Sequence, residues 1–239
     1  MSGDAQVADT AELPTPPLVI AIDGPAGSGK STIAKALSDR VGIEYLDTGA
    51  MFRAVTHSVL TQGVAVDDGD AVAEVATTIE LEIADGRVTV NGEDATEAIR
   101  SAEVTAHVSA VSAHPAVREE MRERQRRWAS SLGGGVMEGR DIGTVVFPDA
   151  PLKIFLTASV EERARRRAVQ SAQDVAEVEA DIRRRDTADS SREHAPLSQA
   201  DDAILVDTTK LGIEGVVDAI EALVNRVRGT RAACGNDFG

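Results

Sequence analysis

Five short apolar runs, at 18–23, 44–46, 136–138, 152–157 and 203–207, read as buried strands. Apolar residues recur at helical spacing after the first of them (Ile33, Ala34, Leu37, Val41) and after the last (Ile213, Val216, Val217, Ile220, Leu223, Val224, Val227). After the fourth run, Ser159 and Glu162 have the spacing of a capping box and mark a helix start. Alternation of strand and helix predicts an α/β fold, a five-stranded parallel sheet with helices on both faces.

The middle of the chain breaks that rhythm. Segments 80–84 and 87–91 alternate polar and apolar positions on either side of Asp85-Gly86, the signal of a type I′ hairpin. Helices are expected at 70–79 and 102–112, and Pro115 opens a charged one that runs to about 131. Residues 62–108 therefore read as an inserted subdomain. Both ends differ from this body. Residues 1–17 carry acids and prolines with no basic start and no apolar stretch, so they read as a disordered leader and not a secretory signal. Residues 229–239 read as a flexible tail.

Composition narrows the chemistry. The 239 residues are 42% hydrophobic and 27% charged, as in an ordinary soluble globular protein, and no apolar run approaches the length of a membrane span. Net charge is −15 and aromatic residues make up 3%, which argues against a nucleic-acid polymer as partner; any anion site must be local. Only four of the 25 basic residues are lysine, so the positive charge is almost all guanidinium, suited to bidentate grip on phosphate. A single cysteine, Cys234, excludes an intrachain disulfide and a cysteine-based zinc site, and points to a reducing, cytoplasmic setting. His57, His107, His114 and His194 lack metal-ligand spacing and read as structural or surface residues.

Gly24-Pro25-Ala26-Gly27-Ser28-Gly29-Lys30-Ser31 matches G-x-x-x-x-G-K-[ST] between a strand and a helix. Glycines let successive N–H groups turn toward one anion, the next helix adds its positive end, Lys30 reaches the outer phosphates and Ser31 can hold Mg²⁺. A nucleoside triphosphate site follows. No N-K-x-D segment for guanine is present, and the modest length favours a small-molecule kinase over a motor. A kinase for any of several small acceptors, or a nucleotide-switched regulatory or RNA-associated module, is compatible with the loop alone.

Phosphoryl transfer needs two polyanions held in line with their charge neutralised. Arginines for that task occur at Arg53, Arg118, Arg140 and across Arg183 to Arg192. Arg140, in Glu138-Gly139-Arg140-Asp141, directly follows a central strand, where open α/β sheets place their ligand crevices. Arg122, Arg124, Arg126 and Arg127, and likewise Arg163, Arg165, Arg166 and Arg167, read as solvated helix faces.

From about 18 to 227 the chain resembles the bacterial cytidylate kinases, the long nucleoside monophosphate kinases with an insertion in the acceptor-binding part. The resemblance rests on Leu46-Asp47-Thr48-Gly49-Ala50-Met51-Phe52-Arg53, on Pro115-Ala116-Val117-Arg118 and on the stretch from Gly139 to Ala150. It rests also on Arg185-Asp186-x-x-Asp189-x-x-Arg192 followed by Ala195-Pro196-Leu197. It implies Mg-ATP-dependent phosphorylation of CMP and dCMP by a monomer. Gly24 to Thr32 would cradle ATP. Arg53, Arg140 and Arg192 would neutralise the acceptor phosphate and the migrating group, and Thr48 would also bind CMP. Ser109, Arg118 and Asp141 would face the base, while Arg185 and Asp189 would lie near ribose and phosphate on a mobile lid. A carboxylate beside a guanidinium complements the amine donor and ring acceptors of cytosine. The implied organisation is a core of 18–48, 132–172 and 194–228, an acceptor region at 49–131 and a lid at 173–193. Glu138 stands where the resemblance leads one to expect Asp. No general base is assigned, since the acceptor phosphate is already an anion.

Overall fold

The computed structural model describes residues 17–84 and 86–235. Strand β1 (Leu18–Asp23) leads through the glycine-rich loop into α1 (Lys30–Val41), and β2 (Tyr45–Asp47) runs directly into α2 (Thr48–Thr61). Then come α3 (Gly69–Thr78), a small antiparallel sheet of β3 (Leu81–Ala84), β4 (Arg87–Val90) and β5 (Glu93–Asp94), a 3₁₀ turn at Ala98–Arg100, α4 (Ala102–Val111) and α5 (Pro115–Leu132). The chain returns as β6 (Gly134–Gly139), makes a π-turn at Ile142–Val146, and continues through β7 (Leu152–Thr157), α6 (Val160–Ser171), α7 (Val175–Ser190), β8 (Ile204–Asp207) and α8 (Ile213–Gly235).

Among the described residues the main sheet has five strands in the order β2-β6-β1-β7-β8, every pair parallel. β1 is central because both faces of it are apolar. Val19 and Ala21 pack with Leu46, Met137 and residues of α2, α3 and α5, while Ile20 and Ile22 pack with Val136, Ile154, α1 and α8. Val72, Val75, Val88 and Val90, from the segment expected as an insertion, belong to the first of these clusters, so that segment shares the core of the main sheet. The helices α6 and α7 form a separate small cluster of Ala164, Ala168, Val178 and Ile182.

Two boundaries differ from the sequence pattern by more than a residue. β6 begins at Gly134, before the apolar run. Gly134 has φ +127 and lies so close to β1 that a Cβ there would sit 2.3 Å from the carbonyl oxygen of Leu18, an approach that only glycine permits. α8 continues to Gly235, past residue 229 where a flexible tail was expected; helical pattern beyond Val227 is absent, but the local backbone hydrogen bonds persist. Of the hairpin turn, Gly86 has φ +76 as the turn type requires, while Asp85 lies outside the described residues, as do residues 1–16 of the expected leader and 236–239 of the tail. Among the described residues no helix is long and apolar enough to cross a membrane.

Candidate active site

The glycine-rich loop leaves the C-terminal end of β1, whose neighbours are reached by connections running in opposite directions across the sheet. That is where an open α/β sheet forms its crevice. Gly24 has φ +152, and a Cβ on it would lie 2.0 Å from the carbonyl oxygen of Leu156. The turn is therefore closed to any larger residue. α1 starts after Gly29 with no side-chain cap, so the unpaired N–H groups of its first turn are open to an anion. Lys30 is only 6% exposed and donates to the carbonyl of Pro25 at 2.8 Å. Burial, helped by the nearby charge of Arg140, pushes its ammonium down to about 7. A phosphate arriving beside it would restore the charge.

A cleft of about 190 Å³ opens over this loop, walled by Ala26, Gly27, Lys30 and Ser31 on one side. Gly24, Pro25, Ser28, Gly29 and Thr32 are not in its wall. They shape the turn instead: the carbonyl of Gly24 accepts from Arg140 at 3.0 Å, and that of Ser28 from the Thr208 hydroxyl at 3.2 Å. Thr32 is exposed on α1.

Arg53, Arg140, Arg185 and Arg192 all line the same cleft, although they come from α2, the end of β6, α7 and the residues after α7. Asp189 ties two of them together. It accepts from Arg140 Nε at 2.8 Å and from Arg192 Nη2 at 2.6 Å, and Arg192 also donates to the Ser112 hydroxyl at 2.9 Å. Burial would raise the Asp189 carboxyl, but Arg140 and Arg192 outweigh it and hold it below the usual range. Arg53 donates to Ile99 carbonyl at 3.1 Å and Thr105 hydroxyl at 2.9 Å.

This positive charge is under-compensated. Burial pushes both Arg53 and Arg185 down to about 10, with Arg185 and Arg167 adding to the effect on Arg53, and Arg140 and Arg167 on Arg185. The buried Nε groups of Arg185 and Arg192 have no hydrogen-bond partner. Orphaned guanidinium donors around one cavity are the chemistry of a polyanion site.

Arg118, in the first turn of α5 and also in the cleft wall, donates to Asp141 Oδ2 at 2.6 Å and to Ser112 carbonyl at 3.1 Å, with its guanidinium carbon 5.3 Å from the centre of the Phe52 ring. Ser109 of α4 lines the same cleft. An acceptor-only carboxylate and a multi-donor guanidinium, both largely buried, can read the hydrogen-bonding edge of a planar base. Thr48 also borders the cleft, but its hydroxyl is spent on the carbonyl of Glu138 at 2.6 Å, which fastens β2 to β6. Glu138 itself is buried, which raises its carboxyl; the hydroxyls of Ser31 and Tyr45 hold it.

Several arginines do not follow the pattern read from the helices. Arg163 is 4% exposed and not solvated: it donates to Ala26 carbonyl at 2.8 Å and to Asp186 Oδ2 at 2.6 Å, while Asp186 Oδ1 accepts Ala26 N–H at 3.2 Å. Arg167, one turn further along the same face, lines the cleft, as does Arg100 beside Asp47. On α5, Arg124 caps the carbonyls of Ala76, Thr77 and Ile79, and Arg126 takes those of Val145 and Val146. The i,i+4 spacing of Arg163 and Arg167 was the available signal; carbonyl acceptors on distant loops leave none in sequence. Among the described residues no group of His, Cys, Asp and Glu forms a metal cluster, and His114 is structural, bonded through Nε2 to Val66 carbonyl at 2.7 Å.

Comparison with known proteins identifies the family. The family model for cytidylate kinase matches residues 20–226. A cytidylate kinase of Geobacillus sp. (strain WCH70) is 52% identical over 215 residues, covering 86% of this chain and 96% of that protein. A bifunctional pantoate ligase/cytidylate kinase of Synechococcus sp. (strain CC9902) is 49% identical over 232 residues, covering 92% of this chain and 48% of that protein. The chain thus spans about half the length of the bifunctional relatives and nearly all of the shorter ones. Among solved structures, an uncharacterized protein from Eubacterium ventriosum ATCC 27560 shares the fold with a TM-score of 0.51 at 13% identity, covering 87% of this chain and 98% of that one. With its phosphate loop, its convergent arginines and a family match that extends from β1 well into α8, the chain belongs to the cytidylate kinase family.

Proposed function

We propose that the chain transfers the terminal phosphoryl group of ATP to CMP and dCMP, giving ADP and CDP or dCDP. The observation that carries this reading is the convergence of Lys30, Arg53, Arg140, Arg185 and Arg192 on one cleft that is also lined by the Arg118–Asp141 pair. ATP phosphates would lie on the loop at 24–32 with Lys30 at the outer ones. The acceptor phosphate would lie among Arg53, Arg140 and Arg192, in line with them, with ribose near Arg185 and Asp189 and the base at Ser109, Arg118 and Asp141. Little covalent help is needed: the acceptor oxygen is already anionic, and the protein's work is alignment and charge neutralisation.

The residues present also fit Mg²⁺. The Ser31 hydroxyl lines the cleft with the carboxylates of Asp47 and Glu138, a set of hard oxygen donors beside Lys30. Ser31 would hold the ion, and when bound the ion supplies neutralisation of phosphate charge during transfer. The segment 173–193, carrying α7, would act as a lid: guanidiniums that repel one another while the cleft is empty are drawn together by phosphate, and closure excludes water. The resemblance implies a monomer, and the nucleotide substrates suit a cytoplasmic enzyme.

The base assignment makes a sharp expectation. Cytosine presents an amine donor next to ring acceptors, and uracil reverses the pattern at two positions, so a buried pocket that leaves polar groups unpaired rejects the wrong base by large factors. In a coupled assay with Mg-ATP, the chain should turn over CMP and dCMP at least about 100-fold more efficiently than UMP, AMP or dTMP. Preference for a purine or for thymine would overturn the assignment. Turnover of none of them, with salt-sensitive RNA binding instead, would favour a nucleotide-switched module.

A further inference from the structure

Asp23 is the last residue of β1, one step before the phosphate loop, and is 5% exposed. Both of its oxygens are used on the acceptor side of the site. Oδ1 accepts the N–H of Ile142 at 2.8 Å and Oδ2 the N–H of Gly143 at 2.7 Å. These are the first two amides of the π-turn, directly after Arg140 and Asp141. The other end of that turn is held by Arg126, through the carbonyls of Val146 at 2.9 Å and Val145 at 3.3 Å. Within the turn the N–H of Val146 bonds to the carbonyl of Asp141 at 3.2 Å and that of Phe147 to the carbonyl of Ile142 at 2.7 Å, which leaves the first two amides of the turn to Asp23. The support here falls directly behind the side chain proposed to read the base.

We propose that Asp23 is a positioning residue for acceptor-base selection, aiming Asp141 through the paired amides of Ile142 and Gly143. This rests on the assignment of Asp141 to the cytosine edge made above. The chemistry requires an ionised carboxylate. Two parallel N–H donors need two acceptors; a carboxamide or a neutral acid offers one acceptor and turns a donor toward the second amide. Burial raises Asp23 to about 6 against the opposing pull of its two amide donors. The charges facing it are Asp141, which adds to the rise, and Lys30 of α1, which opposes it; the stem of Lys153 from β7 packs beside Gly143, but its ammonium is held by Asp202 at 2.8 Å. Asp23 is therefore ionised above about pH 6 and loses one acceptor below it.

The experiment measures kcat/KM for CMP and UMP, and KM for ATP, in the parent chain and in Asp23→Asn. The CMP-to-UMP ratio is the readout, because titration of the acceptor phosphate cancels in it. Asp23→Asn should lower kcat/KM for CMP by about 10- to 100-fold and the ratio by a similar factor, with KM for ATP within about twofold of the parent value. In the parent chain the ratio should fall as pH drops below about 6, and in Asp23→Asn that limb should vanish. Equal losses for ATP and CMP, or lower activity at an unchanged ratio, would mean that Asp23 merely supports the fold and would overturn the proposal. So would an acid limb that survives in the variant. Should the variant fail to fold, the parent profile still decides: a ratio flat from about pH 5 to 8 rejects the role. A parent chain that uses CMP no better than UMP would instead fail the base assignment itself, and with it this inference.

Discussion

Alanine in place of Lys30 is expected to lower kcat with ATP and CMP by about 1,000-fold or more, roughly 4 kcal/mol of transition-state stabilisation, while the thermal midpoint stays within a few degrees of the parent's. The two halves of this expectation come from the same fact. Lys30 is buried, and burial holds its ammonium down to about 7, so in the empty protein it contributes one hydrogen bond to Pro25 and bears a desolvation cost. Removing it costs the fold little. In the proposed transfer the same group would face the charge that builds on the outer phosphates, and its loss would then be fully felt. Steady-state kinetics beside a melting curve checks both. Retained turnover would refute the phosphate role; loss of folding would mean that Lys30 is a structural strut.

Arg192→Ala is expected to depress kcat by about 100-fold, roughly 3 kcal/mol, and to raise KM for CMP by less than about tenfold. Arg53, Arg140 and Arg185 remain to hold the acceptor phosphate in its ground state, so affinity survives. What disappears is a guanidinium with an unpartnered buried Nε just after α7, on the segment proposed as a lid. The variant also leaves Asp189 with Arg140 as its remaining close partner, which weakens the tie between α7 and the end of β6. Stopped-flow or steady-state measurement with separate titration of CMP distinguishes the effects. A change confined to KM would make Arg192 a simple binding group.

Much of the scaffold was legible because its determinants are local. β1 and β7 coincide residue for residue with their apolar runs, α4 starts at the residue expected, and Ser159 caps α6 where the capping-box spacing places a helix start. Lys30 and Arg140 were legible because glycine-rich loops and arginines after a central strand have few purposes, whereas Arg100 and Arg167 of the same cleft were not. What escaped is set by tertiary contacts. β5 consists of Glu93 and Asp94 alone, and its pairing with β4 supplies what its composition does not. The π-turn at 142–146 owes its shape to Asp23 and Arg126, which lie 119 and 20 residues away from the groups they hold. The buried Arg163 and its exposed neighbour Arg165 belong to one charged run; the docking of α6 against the phosphate loop separates them, and the i,i+4 spacing of Arg163 with Arg167 was its one local sign.

The central claim is that one cleft holds two nucleotides with their phosphates meeting between Lys30 and the arginines. A single molecule in which adenosine and cytidine are joined through five phosphates tests it most directly, by inhibition kinetics against each substrate in turn. The account predicts competition with both ATP and CMP, and affinity at least about 100-fold tighter than that of either nucleotide alone, since linking two sites makes the second binding event intramolecular. Competition with only one substrate, or affinity no better than that of ATP, would contradict it.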